Sequence, residues 1–280
     1  MPDPRPVLRL LGIEPKKSLG QNFMVEPAAL ARLVEAADIG PEDAVLEIGA
    51  GLGALTDRLA ERARRVVALE IDGRFIAWLK GRYAHQPQVE VVQADVLETD
   101  LPALLGADAA CYRVVANLPY YITSPVLRYL LECPAPPCLI VVTVQLEVAR
   151  RLAAQPGQMS LLAVSAQFYG RVQVVGHIKA GAFYPRPEVD SAIVRIEPHA
   201  GGPPLLPPAR EEFFHVVRAG FSQPRKQLRN SLASGLRLKT EDVVNWLTAA
   251  GIDPQRRAET LSLEEWIRLT MRSHRGLIPG

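Results

Sequence analysis

Short apolar runs and longer amphipathic stretches alternate along the chain between about residues 44 and 196. Residues 44–48, 66–70, 89–93, 114–116 and 139–144 are short and rich in β-branched side chains, which predicts strands. Residues 54–63, 74–82 and 125–131 space their apolar positions as one face of a helix does. Strands alternating with helices imply an α/β fold with a doubly wound, mostly parallel sheet. Residues 172–178 and 192–196 come late and lie close together, which predicts an antiparallel pair at the edge of that sheet. Gly201-Gly202-Pro203-Pro204, followed by Pro207-Pro208, can neither continue a helix nor join a central strand, and reads as a linker. Beyond it, residues 211–219, 225–232, 241–250 and 263–271 are helical in pattern, punctuated by Gly220, Gly235 and Gly251. The expected organisation is an α/β domain over 1–200 and a small C-terminal α-helical domain over 201–280.

Composition narrows the function classes. The chain has 280 residues, 48% hydrophobic and 22% charged, as in ordinary globular proteins. No apolar run approaches the roughly 20 residues that span a bilayer, and the N-terminus lacks a signal-peptide pattern. A cytoplasmic protein with no membrane partner is expected. The three cysteines, Cys111, Cys133 and Cys138, fit no metal-ligand spacing, so reduced thiols and no metal site are expected. Residues 201–280 carry 12 Lys and Arg against 8 Asp and Glu, a net +4, whereas the rest carries 20 against 22. That division suits a polyanionic partner met by the C-terminal part, although a solvated helical surface alone has the same signature.

Candidate cofactor chemistry sits at the ends of the predicted strands. Glu47-Ile48-Gly49-Ala50-Gly51-Leu52-Gly53 joins the first strand to the first helix, and its glycines allow close backbone approach to a ligand. Glu70 closes the second strand, where a carboxylate can accept from both hydroxyls of a ribose. Asp95 follows the third, within reach of an adenine amine. Gly49-x-Gly51-x-x-Ala54 also fits the dinucleotide fingerprint, with Glu70 at the expected distance. Two features favour S-adenosylmethionine over a nicotinamide or flavin: Glu47 offers an acidic group suited to a sulfonium, and Asp95 and Asn117 continue the constellation onto the third and fourth strands.

Asn117-Leu118-Pro119-Tyr120 leaves that fourth strand directly after Val114-Val115-Ala116. An Asn-x-Pro-aromatic tetrad gathers an amide oxygen, a backbone carbonyl and a ring face around one flat, electron-poor amine. The exocyclic amine of adenine is such a group, its lone pair delocalised into the ring. Asn117 Oδ1 and the Leu118 carbonyl can accept its two N–H bonds and drive the nitrogen toward a tetrahedral geometry. Pro119 stiffens the turn, and Tyr120 offers a stacking surface for a base taken out of its helix. The same four residues also suit an ordinary turn after a strand.

With these motifs assembled, the chain resembles the ribosomal RNA adenine dimethyltransferase family over nearly its whole length. Lys17-Ser18-Leu19-Gly20-Gln21-Asn22-Phe23 is similar to the family's N-terminal segment. Phe183-Tyr184-Pro185-Arg186-Pro187-Glu188-Val189-Asp190-Ser191 is similar to its aromatic-Pro motif, and Phe221-Ser222-Gln223-Pro224-Arg225-Lys226-Gln227-Leu228-Arg229-Asn230 to the basic motif of its helical domain. The resemblance implies that Asn22, Met24 (through its backbone), Gly49, Gly51, Glu70, Asp95 and Asn117 contact S-adenosylmethionine, with Asn117, Leu118, Tyr120 and Phe183 at the target adenine, the two rings sandwiching it. It further implies a small-subunit ribosomal RNA substrate and an immature small subunit as partner, and a monomer is expected. With the charge division, RNA contacts are expected from Arg225, Lys226 and Arg229: if 225–232 is helical, Arg225 and Arg229 share one face, with Lys226 beside them. The chain departs from the family pattern at Pro224, usually basic, at Gln227, and at Tyr121, where asparagine is common. Large-subunit ribosomal RNA is the alternative substrate, and an assembly or transcription factor that keeps the fold and binds RNA is the alternative from another class.

Overall fold

The computed structural model describes residues 3–16 and 20–272. In chain order its elements are α1 (Arg5–Leu10), β1 (Phe23–Met24), α2 (Pro27–Ala36), β2 (Ala44–Ile48), α3 (Ala54–Ala60), β3 (Arg65–Glu70), α4 (Gly73–Arg82), β4 (Val89–Gln93), α5 (Leu101–Leu105), β5 (Arg113–Asn117), α6 (Thr123–Glu132), β6 (Leu139–Gln145), α7 (Leu146–Leu152), α8 (Leu161–Tyr169), β7 (Gly170–Ile178), β8 (Phe183–Tyr184), β9 (Ser191–Pro198), α9 (Ala209–Phe221), α10 (Leu228–Leu236), α11 (Thr240–Ala249) and α12 (Leu263–Met271). The chain divides into two compact units, residues 1–149 with 172–198, and residues 150–171 with 199–280.

The first unit is built on a seven-stranded sheet of order β4-β3-β2-β5-β6-β9-β7. β2 pairs in parallel with β3 and β5, β3 with β4, and β5 with β6, while β9 runs antiparallel to β6. Every residue of β2 is buried, as are five of the six in β3 and six of the seven in β6. Strands covered on both faces read as unbroken apolar runs, which is why the sequence shows them so plainly. The order reverses between β2 and β5, and in such sheets ligands bind at that switch, beyond the carboxyl ends of the strands. The predicted edge strands are both present and adjacent, with β7 outermost.

A two-stranded ribbon accompanies the sheet. β1 pairs antiparallel with β8, setting Phe23 opposite Tyr184 and Met24 opposite Phe183. Val25 N donates to the Ala182 carbonyl at 2.8 Å and extends the pairing. The N-terminal motif and the aromatic-Pro motif, 160 residues apart, are thus brought side by side. Lys17, Ser18 and Leu19 of the N-terminal motif lie outside the described residues.

Several expectations need correction. Cys111 and Cys138 form a disulfide with Cα atoms 5.5 Å apart, and only Cys133 is free. The register of β5 on β6 pairs Arg113 with Leu139, which places the residues just before those strands together. Residues 150–171 belong with the helical unit, so that unit begins before the linker at 201–208. Its α8 is apolar on nearly every side, and Phe168 stacks on Phe213 of α9 at 4.6 Å between ring centroids. The basic helix expected over 225–232 starts instead at Leu228. Pro224 sits in a turn closed by Lys226 N on the Gln223 carbonyl at 2.9 Å, and Gln227 is extended at φ −62°, ψ 147°. Arg225 and Lys226 therefore lie in a turn ahead of the helix, and Arg225 shares no helical face with Arg229.

Candidate active site

The ends of β2, β3, β4 and β5 and the N-terminal segment enclose one crevice. Asn22, Met24, Gly49, Gly51, Glu70, Asp95 and Asn117 all line it. Pro119 and Tyr121 of the turn after β5 line it as well, whereas Leu118, Tyr120 and Phe183 do not. Arg225, Lys226 and Arg229 lie in the other compact unit.

The glycine loop owes its shape to backbone angles that favour glycine. Gly49 and Gly51 have φ of 79° and 56°, a left-handed region that L side chains enter at a cost. A Cβ on Gly51 would also stand 3.1 Å from the Phe23 ring, so the ring would have to give by a few tenths of an ångström to admit one.

Glu70, the last residue of β3, closes this loop from the other side. Its Oε2 accepts from Gly51 N at 2.7 Å and its Oε1 from Asp72 N at 2.8 Å. Burial pushes its carboxyl upward, against the pull of those two backbone N–H groups. Each oxygen keeps a further lone pair for a ligand hydroxyl. Asp95 Oδ1 accepts from Leu97 N at 2.9 Å and holds the turn after β4. Asp72 caps α4 and anchors the N-terminal segment, accepting from Gln21 Nε2 at 2.9 Å and from Arg74. The Arg74 guanidinium holds the Asp72 carboxyl well below the usual carboxylate range. Gln21 stood in the N-terminal motif without a role of its own, and Asp72 drew no attention in the sequence, because a helix-capping Asp carries no motif.

Glu47 corrects an expectation. It is fully buried, and its Oε2 accepts from Thr56 Oγ1 at 2.6 Å. Burial pushes its carboxyl up to about 8, with Glu70 and Asp57 nearby adding to the rise. At neutral pH it is mostly the uncharged acid, so its charge does not discriminate a sulfonium from a pyrophosphate. The folded protein holds this proton more tightly than the unfolded chain, so stability falls as pH rises from the glutamate range through about 8. Glu47→Gln is neutral at every pH and still accepts from Thr56. It is expected to melt close to the wild type near pH 5 and above it past pH 8, and thermal unfolding at the two values checks this. An equal gap at both would place the titration elsewhere.

Asn117 ends β5. Its Nδ2 donates to the Asn22 carbonyl at 2.8 Å, and its Oδ1 accepts from Thr143 Oγ1 at 2.5 Å. Tyr120 is held through its hydroxyl, 2.7 Å from Ser191 Oγ on β9. Phe183 is 4% exposed and packed in the apolar core, in the position of an ordinary core aromatic. Tyr121, 57% exposed at the rim of the crevice, is the more open ring.

An α/β sheet with a glycine loop, a strand-end acid that closes the loop, and an amide at the switch point defines a nucleotide-cofactor transferase of the class I methyltransferase type. The family of ribosomal RNA adenine dimethylases matches residues 13–274, and the chain belongs to that family. It is 45% identical to the ribosomal RNA small subunit methyltransferase A of Dehalococcoides mccartyi strain 195 over 258 residues, 91% of this chain and 87% of the relative. It is 42% identical to the protein of the same name from Shouchella clausii over 94% of this chain and 91% of the relative. Among solved structures it resembles the 23S rRNA methyltransferase ErmE, at 32% identity and a TM-score of 0.73, over 89% of this chain and 98% of that one. A dimethyladenosine transferase from Plasmodium falciparum matches at 27% identity and a TM-score of 0.72, over 87% of this chain and 94% of that one. Membership makes the protein an S-adenosylmethionine-dependent ribosomal RNA adenine dimethyltransferase.

Proposed function

We propose that the protein dimethylates the N6 amines of two adjacent adenosines near the 3′ end of small-subunit ribosomal RNA, acting as a cytoplasmic monomer on immature small subunits. The observation that carries the chemistry is the Asn117 amide, set at the crevice with its nitrogen committed to the Asn22 carbonyl and its oxygen left with a spare lone pair. The crevice suits S-adenosylmethionine: Glu70 would hold the ribose, the Asp95 region the adenine ring, and Asn22 and Met24 the methionine end. That cofactor supplies a methyl group on a sulfonium, which leaves as a neutral thioether. What remains for the protein is to orient the amine and expose its lone pair, which is proximity and orientation catalysis. In the first transfer Asn117 Oδ1 and the Leu118 carbonyl would accept the two N–H bonds and expose the nitrogen lone pair to the methyl carbon; in the second, the monomethylated amine has one N–H left for one of these acceptors. The methylated amine then carries an extra, very acidic proton that passes to water, so no general base is needed. Tyr120, held by Ser191 but not among the crevice lining, would have to turn to the base, and Phe183 would have to be uncovered to stack on its other side.

The choice of the small subunit rests on relatives of that name, among them two that match at 45% and 42% identity. The likeness to the 23S rRNA methyltransferase ErmE, 32% identical, is what supports the large-subunit reading. Incubating the protein with unmethylated small subunits, unmethylated large subunits and labelled cofactor, then mapping methyl groups by mass spectrometry, decides between them. Methyl groups on the large subunit alone would overturn the proposal. Label on neither subunit would favour a non-catalytic assembly role.

RNA recognition is assigned to Arg225, Lys226 and Arg229. The turn at 223–226 presents the first two, and Arg229 follows in the first turn of α10. Such contacts act on phosphates and are salt-sensitive without reading bases. Neutralising all three is expected to weaken small-subunit binding and flatten its salt dependence, leaving cofactor affinity unchanged. Normal binding and methylation across a salt series would move recognition to other basic residues, such as Arg9, Lys16 and Lys17.

A further inference from the structure

A side-chain amide can face a site either way round, and here the surroundings choose. Asn117 Nδ2 lies 2.8 Å from the Asn22 carbonyl, which can only accept. Reversing the amide would set two oxygens against each other at that distance. Oδ1 is therefore fixed on the opposite side, 2.5 Å from Thr143 Oγ1, and there the hydroxyl must donate. Thr143 pairs with Asn117 in register across β5 and β6, so the two side chains are direct neighbours on one face of the sheet. It is fully buried in the otherwise apolar run Leu139–Val144. A buried hydroxyl is costly without a partner, and this one's partner is the amide at the crevice.

Resting on the reading above, we propose that Thr143 is a positioning residue for methyl transfer. Its hydroxyl occupies one lone pair of Asn117 Oδ1 and holds the amide plane so that the other lone pair points to the N6 amine. The Asn22 carbonyl sets which way the amide faces. One N-terminal backbone oxygen and one hydroxyl of β6 thereby aim the group that activates the substrate, and neither touches the reacting atoms.

The test compares Thr143→Val, which replaces the hydroxyl by a methyl group on a side chain of the same shape, with Thr143→Ser, which restores the donor. Turnover on unmethylated small subunits is measured as kcat and KM separately, and S-adenosylhomocysteine affinity by calorimetry. Thr143→Val is expected to lower kcat about tenfold, the scale of one well-aligned hydrogen bond, with KM and cofactor affinity within about twofold of the wild type. Thr143→Ser is expected to recover most of kcat. The proposal is overturned if Thr143→Val keeps its kcat, if cofactor affinity falls in step with kcat, or if Thr143→Ser is as impaired as Thr143→Val. Should Thr143→Val lack a cooperative melt, Thr143→Ala is judged on the same measurements. Large subunits are run in parallel. Turnover only there would overturn the substrate reading, while the ratio of variant to wild type still decides the role of Thr143.

Discussion

Asn117→Ala is expected to lower turnover by about 10²–10³, the usual cost of removing one preorganised polar group aimed at a transition state. The amide oxygen is one of two acceptors proposed to pyramidalise the N6 amine, and the Leu118 carbonyl cannot do so alone. The same substitution frees the Asn22 carbonyl and the Thr143 hydroxyl, both of which now bond to the amide. Some loss of cofactor affinity follows from a looser N-terminal segment, but it should be much smaller than the loss in rate. Pre-steady-state methylation of saturated enzyme, with S-adenosylhomocysteine binding measured in parallel, separates the two effects. Near-normal turnover in Asn117→Ala would rule out the proposed activation. Asn117→Asp is a sharper companion, because it keeps an oxygen but offers nothing to donate to the Asn22 carbonyl. Its carboxylate should be repelled by that carbonyl and aim poorly despite being the stronger acceptor.

The sheet was legible because each central strand is buried on both faces, so β2, β3, β5 and β6 appear as runs of Val, Leu and Ile between polar turns. The crevice was legible for a related reason. A parallel sheet puts its strand ends together, so Gly49, Glu70, Asp95 and Asn117, each just past or at a strand end, had to converge. What stayed hidden depends on contacts without a period. β1 and β8 are two residues each, too short for alternation to show, yet their pairing brings the N-terminal segment to the aromatic-Pro motif. α8 is apolar nearly all round and has no amphipathic stripe to betray it. Thr143 is an ordinary strand residue by propensity, and its use appears only when the register of β5 on β6 is known. The basic helix was misplaced because Leu228 and Leu232 continue a helical spacing, while Pro224 and the extended Gln227 decide where it starts. Glu47 shows the limit of reading charge from a letter: full burial makes it an acid that keeps its proton.

Glu70→Ala is expected to weaken S-adenosylhomocysteine binding by roughly 1.5–3 kcal/mol, the range for a hydrogen bond to a charged group. The structure gives the carboxylate two tasks. Its oxygens accept from Gly51 N and Asp72 N and so set the glycine loop and the start of α4, and their remaining lone pairs are placed for the ribose hydroxyls. Removing the side chain leaves those two N–H groups without their partner and loosens the loop as well as the ligand. Glu70→Gln distinguishes the tasks, since its single amide oxygen can serve one N–H, while its NH₂ faces the other donor. Affinity in Glu70→Gln should therefore fall nearly as far as in Glu70→Ala. Burial raises the Glu70 carboxyl above the usual glutamate range, and protonation would replace an acceptor with a donor. Wild-type affinity is accordingly expected to decline as pH falls toward that raised value, and the decline attributable to Glu70 to vanish in Glu70→Ala. Calorimetric titration with S-adenosylhomocysteine across the acid range measures both. Unchanged affinity in Glu70→Ala, or tighter binding of a nicotinamide dinucleotide than of S-adenosylhomocysteine, would sink the assignment of Glu70 to the cofactor ribose.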